Sequence, residues 1–157
     1  MSEDLDITAE LGRHSFMKGV SEEVVTRIGA CADGVASWGE DEMIFRSGGE
    51  ATKCYLIQSG EVAIEVYSPG TGSRIVQTVS RGEVLGWSWL FEPYVWSFDA
   101  RVLTPATAIV LDGEAIRHCM NDEPNLGYPM MVRFARLIVG RLQATRLQLL
   151  DLYASRN

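Results

Sequence analysis

The chain has 157 residues, 46% of them hydrophobic and 22% charged, an ordinary globular composition in which one core can form without a disulfide or metal to hold it. Its 21 acidic residues against 14 basic ones leave a net charge of −7, so the whole repels a phosphate backbone and any anionic ligand must be held by local groups. No apolar run approaches membrane-spanning length, and the acidic opening Met1 to Glu10 lacks the basic and apolar regions of a signal peptide, which predicts a cytoplasmic protein without a membrane partner.

Residues 1–34 read as a helical segment. Ser21, followed by Glu22 and Glu23, marks a helix start, and Val24, Val25, Ile28 and Cys31 recur on one face until Gly34 stops the pattern. From Val35 to Asp112 the period changes to two, through Tyr55 and Ile57, then Val62, Ile64 and Val66, then Ile75, Gln77 and Val79, then Phe98, Ala100 and Val102, then Ala108 and Val110. Gly60, Gly70, Gly82, Pro69 and Pro105 punctuate these runs at turn intervals, and many short strands with tight turns predict a sandwich or barrel over 35–112. The fold class is mainly β with flanking helices.

Residues 113–157 return to helix. Asp112 offers an N-cap, with Glu114 in the first turn and Ile116, Cys119 and Met120 on one face, until Asn121, Asp122, Glu123 and Pro124 end the pattern. After Pro129 the chain reads as one helix, and 130–154 would span roughly 37 Å at 1.5 Å per residue. Met130, Met131, Val132, Phe134, Leu137, Ile138, Val139 and Leu142 make it apolar on more than one face, so it needs a second partner, expected to be the same helix of another subunit. Leu142, Thr145, Leu149 and Leu152 keep spacings of three and four, which suits a homodimer seam without making a strict heptad.

The chemistry-bearing residues are sparse. Cys31, Cys54 and Cys119 have neither metal-ligand nor redox spacing and read as buried free thiols. A metal-dependent roll enzyme needs clustered histidines on strands, whereas His14 and His118 lie in or beside helices, and no Gly-x-Ser-x-Gly nucleophile motif occurs. Neither metal, cofactor nor catalysis is expected.

Four stretches in order carry a resemblance: His14 through Ser21, Ile44-Phe45-Arg46-Ser47-Gly48, Tyr55 through Val62, and Gly82-Glu83-Val84-Leu85-Gly86. Together they resemble the cyclic nucleotide-binding domain of the catabolite activator protein (Crp/Fnr) family over nearly the whole chain. The resemblance implies a single domain over 1–157, a jelly-roll-like β-roll (a double-stranded β-helix) followed by a long C-terminal helix. It also implies a phosphate-binding cassette after Gly86, where the family uses a glutamate for the ribose 2′-hydroxyl and an arginine for the cyclic phosphate. Aligned without a gap, Trp87 stands at the glutamate position and Trp96 at the arginine position. The candidate pocket is then Gly86, Trp87, Ser88, Trp89, Trp96, Ser97 and Phe98, with Thr145 matching the family's purine-contacting threonine on the long helix. A mid-helix threonine can instead bond back to the carbonyl of Arg141. Strand alternation puts Arg101 on the face of Asp99, opposite Phe98, Ala100 and Val102, so a surface ion pair is expected of it.

In that family a helix-turn-helix domain follows the long helix; this sequence stops at Asn157, so no nucleic-acid partner is expected. The expected function is a non-catalytic regulatory, ligand-sensing module that binds cyclic nucleotide weakly or not at all, with a small-molecule ligand and a protein partner still to be identified. The alternatives are a ligand-free protein–protein adaptor with its pocket filled by its own tryptophans, and a genuine cyclic AMP- or cyclic GMP-binding regulator.

Overall fold

A serine before two glutamates starts a helix where its side chain can accept an orphan amide, and Ser21 Oγ accepts from Val24 N at 3.3 Å. The computed structural model describes residues 2–155, with the side chains of 7–155. They fall into two compact units, Met1–Cys119 and Met120–Asn157, each described by itself.

In the first unit, α1 (Ser2–Arg13) and α2 (Glu22–Gly29) precede six strands: β1 (Ala32–Trp38), β2 (Met43–Phe45), β3 (Lys53–Ser68), β4 (Gly72–Val79), β5 (Val84–Leu85) and β6 (Asp99–Asp112). The strands pair in the order β1-β6-β3-β4, with β2 on β6 and β5 on β3, and every pairing is antiparallel. The period of two reads out as burial where β3 lies against β6, but Val66 and Ile75, toward the tip of the β3–β4 hairpin beyond that pairing, are exposed, and Val110 is half-buried between buried Ile109 and Leu111. Ile57, Val62, Ile64, Val79, Leu85, Ala100, Val102, Ala106 and Ala108 form one buried cluster, with Trp38, Ile44, Phe45 and Tyr55 packed against it. Each large aliphatic side chain so buried contributes about 1.5–3 kcal/mol of transfer free energy, which is why the alternation fixes the register.

Two further details depart from expectation. The runs at 55–57 and 62–66 belong to the one strand β3, and those at 100–102 and 108–110 to the one strand β6. Register shifts between Ile57 and Val62 bend the β3–β6 pair, so each short run is one leg of a folded-over ribbon. Phe98 precedes β6 rather than belonging to it, and its side chain is 41% exposed instead of facing inward with Ala100 and Val102.

His14 joins the N-terminal segment to the roll. Its Nδ1 accepts from Phe16 N at 3.2 Å, so Nε2 carries the hydrogen and donates to the Ile57 carbonyl at 2.8 Å. Burial lowers the imidazole's pKa below its usual value, with the backbone bond opposing, so the folded state holds it neutral. A depressed folded pKa stabilises the fold above the unfolded pKa of about 6.5, and that contribution is lost as pH falls through the folded value. Urea titrations from pH 7.5 to 5 are therefore expected to show the native chain losing stability faster than His14→Gln below pH 6.5. Parallel pH profiles would remove His14 as the cause.

Asp112 caps α3 (Gly113–Asp122) through Oδ1, which accepts from Glu114 N at 3.1 Å and Ala115 N at 3.3 Å. The second unit is built on α4 (Pro124–Ser155), which starts six residues before the expected Met130. Proline suits a first helical position because its missing N–H has no partner to lose, so Pro124 begins a helix as well as ending the previous one. Pro129 lies within α4 and removes the donor for the Asn125 carbonyl, on a residue that water reaches. Among the described residues no helix is long and apolar enough to cross a membrane.

Candidate ligand site of the roll

The cassette after Gly86 is organised around two buried tryptophans. Trp96, 5% exposed, stacks on Phe45 with centroids 3.8 Å apart and planes 7° from parallel. Tyr55 lies 6.5 Å from Trp96, and Trp38 meets Tyr55 edge-on at 5.9 Å, so four rings form one aromatic wall on the core. Gly86, at φ +84°, lets the chain pass directly over this wall, since a Cβ there would stand 2.5 Å from Trp96 Cζ3. Backbone bonds fix the position of Trp96: its N donates to Gly49 O at 2.9 Å and its O accepts from Gly48 N at 2.8 Å, while Ala51 N donates to Tyr94 O at 2.8 Å.

Trp89 is fully buried and donates its indole N–H to Gly86 O at 3.2 Å. Burial pushes the pKa of the neighbouring Cys54 thiol well up, against the opposing hydrogen bond with Trp89, which leaves an inert thiol. Arg117 from α3 donates to the Trp89 carbonyl and lays its guanidinium 3.9 Å over the Tyr94 ring. No sequence spacing announced Arg117, because α3 and the cassette meet only through the fold.

The structure thus places Trp89 and Trp96 in the interior, with half-buried Gly86 packed over Trp96. Trp87 and Ser88 are half-buried, whereas Ser97 and Phe98 are exposed. Thr145 lies on α4 in the second unit, exposed, with its hydroxyl donating to Arg141 O at 2.9 Å. Arg101 donates from Nε to Glu65 at 2.5 Å and from a terminal nitrogen to Asp41 at 2.9 Å, and the Glu65 bond raises its pKa. Asp99, its neighbour on the strand face, accepts instead from Ser47 N at 2.7 Å. Glu65 is itself buried, so withdrawing Arg101 would leave an unpaired carboxylate in the sheet. Chemically, the rings of Trp89 and Trp96 are spent on the core, and Trp96 already stacks on Phe45. Among the described residues no group of three His, Cys, Asp or Glu is placed to hold a metal ion.

The three thiols are free; Cys31 and Cys54 are buried and Cys119 half-buried. The fold nonetheless brings Cys31 and Cys119 to 3.9 Å between sulfurs, 88 positions apart in sequence. Burial and the adjacent Cys119 push the Cys31 thiol up to about 12, so it stays protonated at neutral pH.

The family model described as "Cyclic nucleotide-binding domain" matches residues 36–123. The CRP-like cAMP-activated global transcriptional regulator of Mycobacterium tuberculosis is 25% identical over 109 residues, 69% of this chain and 47% of that protein. The chain therefore spans about half the length of the curated relatives it matches. Among solved structures, a cyclic nucleotide-binding domain from Methylobacillus flagellatus superposes with a TM-score of 0.78 at 19% identity, covering 96% of this chain and 84% of that one. The sensor domain of the transcriptional regulator DNR from Pseudomonas aeruginosa gives 0.71 at 16% identity, covering 91% and 95%. At these identities the structural matches speak for the β-roll fold alone.

Proposed function

The chain belongs to the cyclic nucleotide-binding domain family, and from that premise we propose that it is a non-catalytic regulatory module whose diverged cassette takes cyclic AMP and cyclic GMP weakly or not at all. The carrying observation is Trp96, stacked on Phe45 beneath Gly86 where the resemblance calls for an arginine. A cyclic phosphate brings a full negative charge into an apolar roll. With tryptophans at both anchor positions and Arg101 engaged by Glu65 and Asp41, backbone amides are left to compensate it. Losing one side of a buried charged hydrogen bond costs about 2–5 kcal/mol, or roughly thirty- to several-thousand-fold in affinity. α4 carries the output in this reading, as the seam of a homodimer.

The same residue favours a second reading, a ligand-free adaptor. A tryptophan buries about 150–250 Å², so Trp89 and Trp96 together fill much of the space that a nucleotide's sugar and phosphate need.

Calorimetry distinguishes the readings from a genuine cyclic nucleotide sensor. The native chain is expected to show no micromolar binding of cyclic AMP or cyclic GMP, and the Trp87→Glu, Trp96→Arg double replacement to gain some. Micromolar binding by the native chain overturns the proposal whether or not the double replacement folds. A thermal-shift screen of common metabolites then separates sensor from adaptor, since a ligand at 100 times its dissociation constant stabilises by about 2.7 kcal/mol.

A further inference from the structure

One backbone carbonyl ties two distant segments of the first unit together. Ile57 O accepts from His14 Nε2 at 2.8 Å, just past the end of α1, and from Gly82 N at 3.0 Å in the turn between β4 and β5. Ile57 N in turn donates to Glu83 O at 2.9 Å, which holds that turn from its other side. The residues preceding the two donors are Arg13 and Arg81, so the pinned carbonyl brings two guanidinium-bearing positions to one place. Gly82 sits at φ +87°, and a Cβ on it would stand 3.0 Å from Ser15 Oγ, so the turn lies close against that hydroxyl.

Between them is a cleft of about 280 Å³, lined by Arg13, Ser15, Gln58 and Arg81, with Glu10 beside them. The Glu10 carboxylate is engaged, accepting from Gln58 Nε2 at 3.1 Å. His14 is held neutral by burial. Arg13 and Arg81 have no ion-pair or hydrogen-bond partner among the described residues. Among the described lining residues two positive charges therefore stand against one negative charge in a concave site, on a chain whose net charge is −7. Both arginines are exposed and line the same cleft, so an anion bound there would meet a positive charge from each side.

We propose that this cleft is a binding site for a small anion bearing a phosphate or carboxylate group, gripped by Arg13 and Arg81, with the Ser15 hydroxyl as a third donor. Guanidinium forks match both oxyanion geometries and hold them by charge-assisted hydrogen bonds. The volume falls just below the range that ligand pockets usually occupy, which restricts the ligand to a compact molecule. The site shares no residue with the cassette, so it stands or falls independently of the cyclic nucleotide reading.

The test is calorimetry on the full chain in low-chloride buffer, with inorganic phosphate and succinate as separate probes. At least one is expected to bind with one-to-one stoichiometry. Arg13→Gln and Arg81→Gln should each weaken it at least tenfold, the double variant should abolish it, and Trp96→Phe should leave it unchanged. Arg13→Lys and Arg81→Lys, which keep the charge and lose the fork, should fall between. Preference for phosphate or for succinate identifies the tetrahedral or the planar group as the natural one. Absence of binding by both probes, or binding that survives in a folded Arg13→Gln, Arg81→Gln variant, overturns the proposal.

Discussion

Trp96→Ala is expected to destabilise the roll by about 3–5 kcal/mol, the usual cost of emptying a buried aromatic site. Trp96 is 5% exposed and lies face to face with Phe45, so its removal takes away both apolar burial and a stacked pair. Neighbouring strands cannot collapse into the gap, because the backbone on either side is bonded to Gly48, Gly49 and Ala51. For a chain of this length each kcal/mol corresponds to about 2–4 °C, so the melting midpoint should fall by roughly 6–20 °C. Trp96→Phe keeps a ring on Phe45 and should lose much less. A dry apolar cavity of aromatic shape also accepts small aromatic molecules, so millimolar indole should restore part of the lost midpoint in the alanine variant and leave the native protein unmoved. A Trp96→Ala protein as stable as the native one would mean that Trp96 does not fill the interior in solution.

Oligomeric state should respond still more strongly to α4. Leu149 is 50% exposed, Leu152 63% and Leu142 49%, which makes a row of leucines at spacings of seven and three that one helix cannot shelter by itself. In a two-fold dimer Leu149 and Leu152 each appear twice, and four buried leucine side chains at about 1.5–3 kcal/mol apiece amount to at least roughly 6 kcal/mol. Leu149→Asp with Leu152→Asp should therefore raise the dimer dissociation constant by about ten-thousand-fold or more. Sedimentation equilibrium should give twice the 17.4 kDa chain mass for the native protein and the chain mass itself for the variant, with unchanged circular dichroism of the roll. A native chain that sediments as a monomer at every concentration sinks the homodimer.

Local chemistry in the sequence foretold much of this molecule and its tertiary chemistry very little. Ser21 and Asp112 are side chains whose bonding is settled within three residues, and both cap as expected. The alternation at Ile57, Val62, Ile64, Ala100 and Val102 is equally local and matches the buried face. Period-two counting ignores where a strand begins and so places Phe98 inward, whereas Phe98 precedes β6 and is 41% exposed. Pro124 signals a helix stop and a helix start alike, so its place as the first residue of α4 is not legible from the residue alone. In the cassette, Trp89 and Trp96 do face the interior, while the Arg117 contact over Tyr94 joins segments with no shared periodicity. The Arg13–Arg81 cleft was invisible for the same reason: only the doubly used carbonyl of Ile57 makes those residues neighbours.

β6 pairs with β1, β2 and β3, so the sheet acquires most of its hydrogen bonds only when its last strand exists. Ala32 finds its partner at Leu111, across nearly the whole roll in sequence. At a translation rate of about 5–20 residues per second, β1 then waits roughly 4–16 s after synthesis before it can pair. For that interval the apolar positions of β1 through β5 are exposed on a nascent chain with no closed core. Such non-local closure also places the domain among slow folders, in milliseconds to seconds rather than microseconds, after the chain is complete. Any truncation that removes β6 is therefore expected to produce an aggregation-prone fragment rather than a smaller roll.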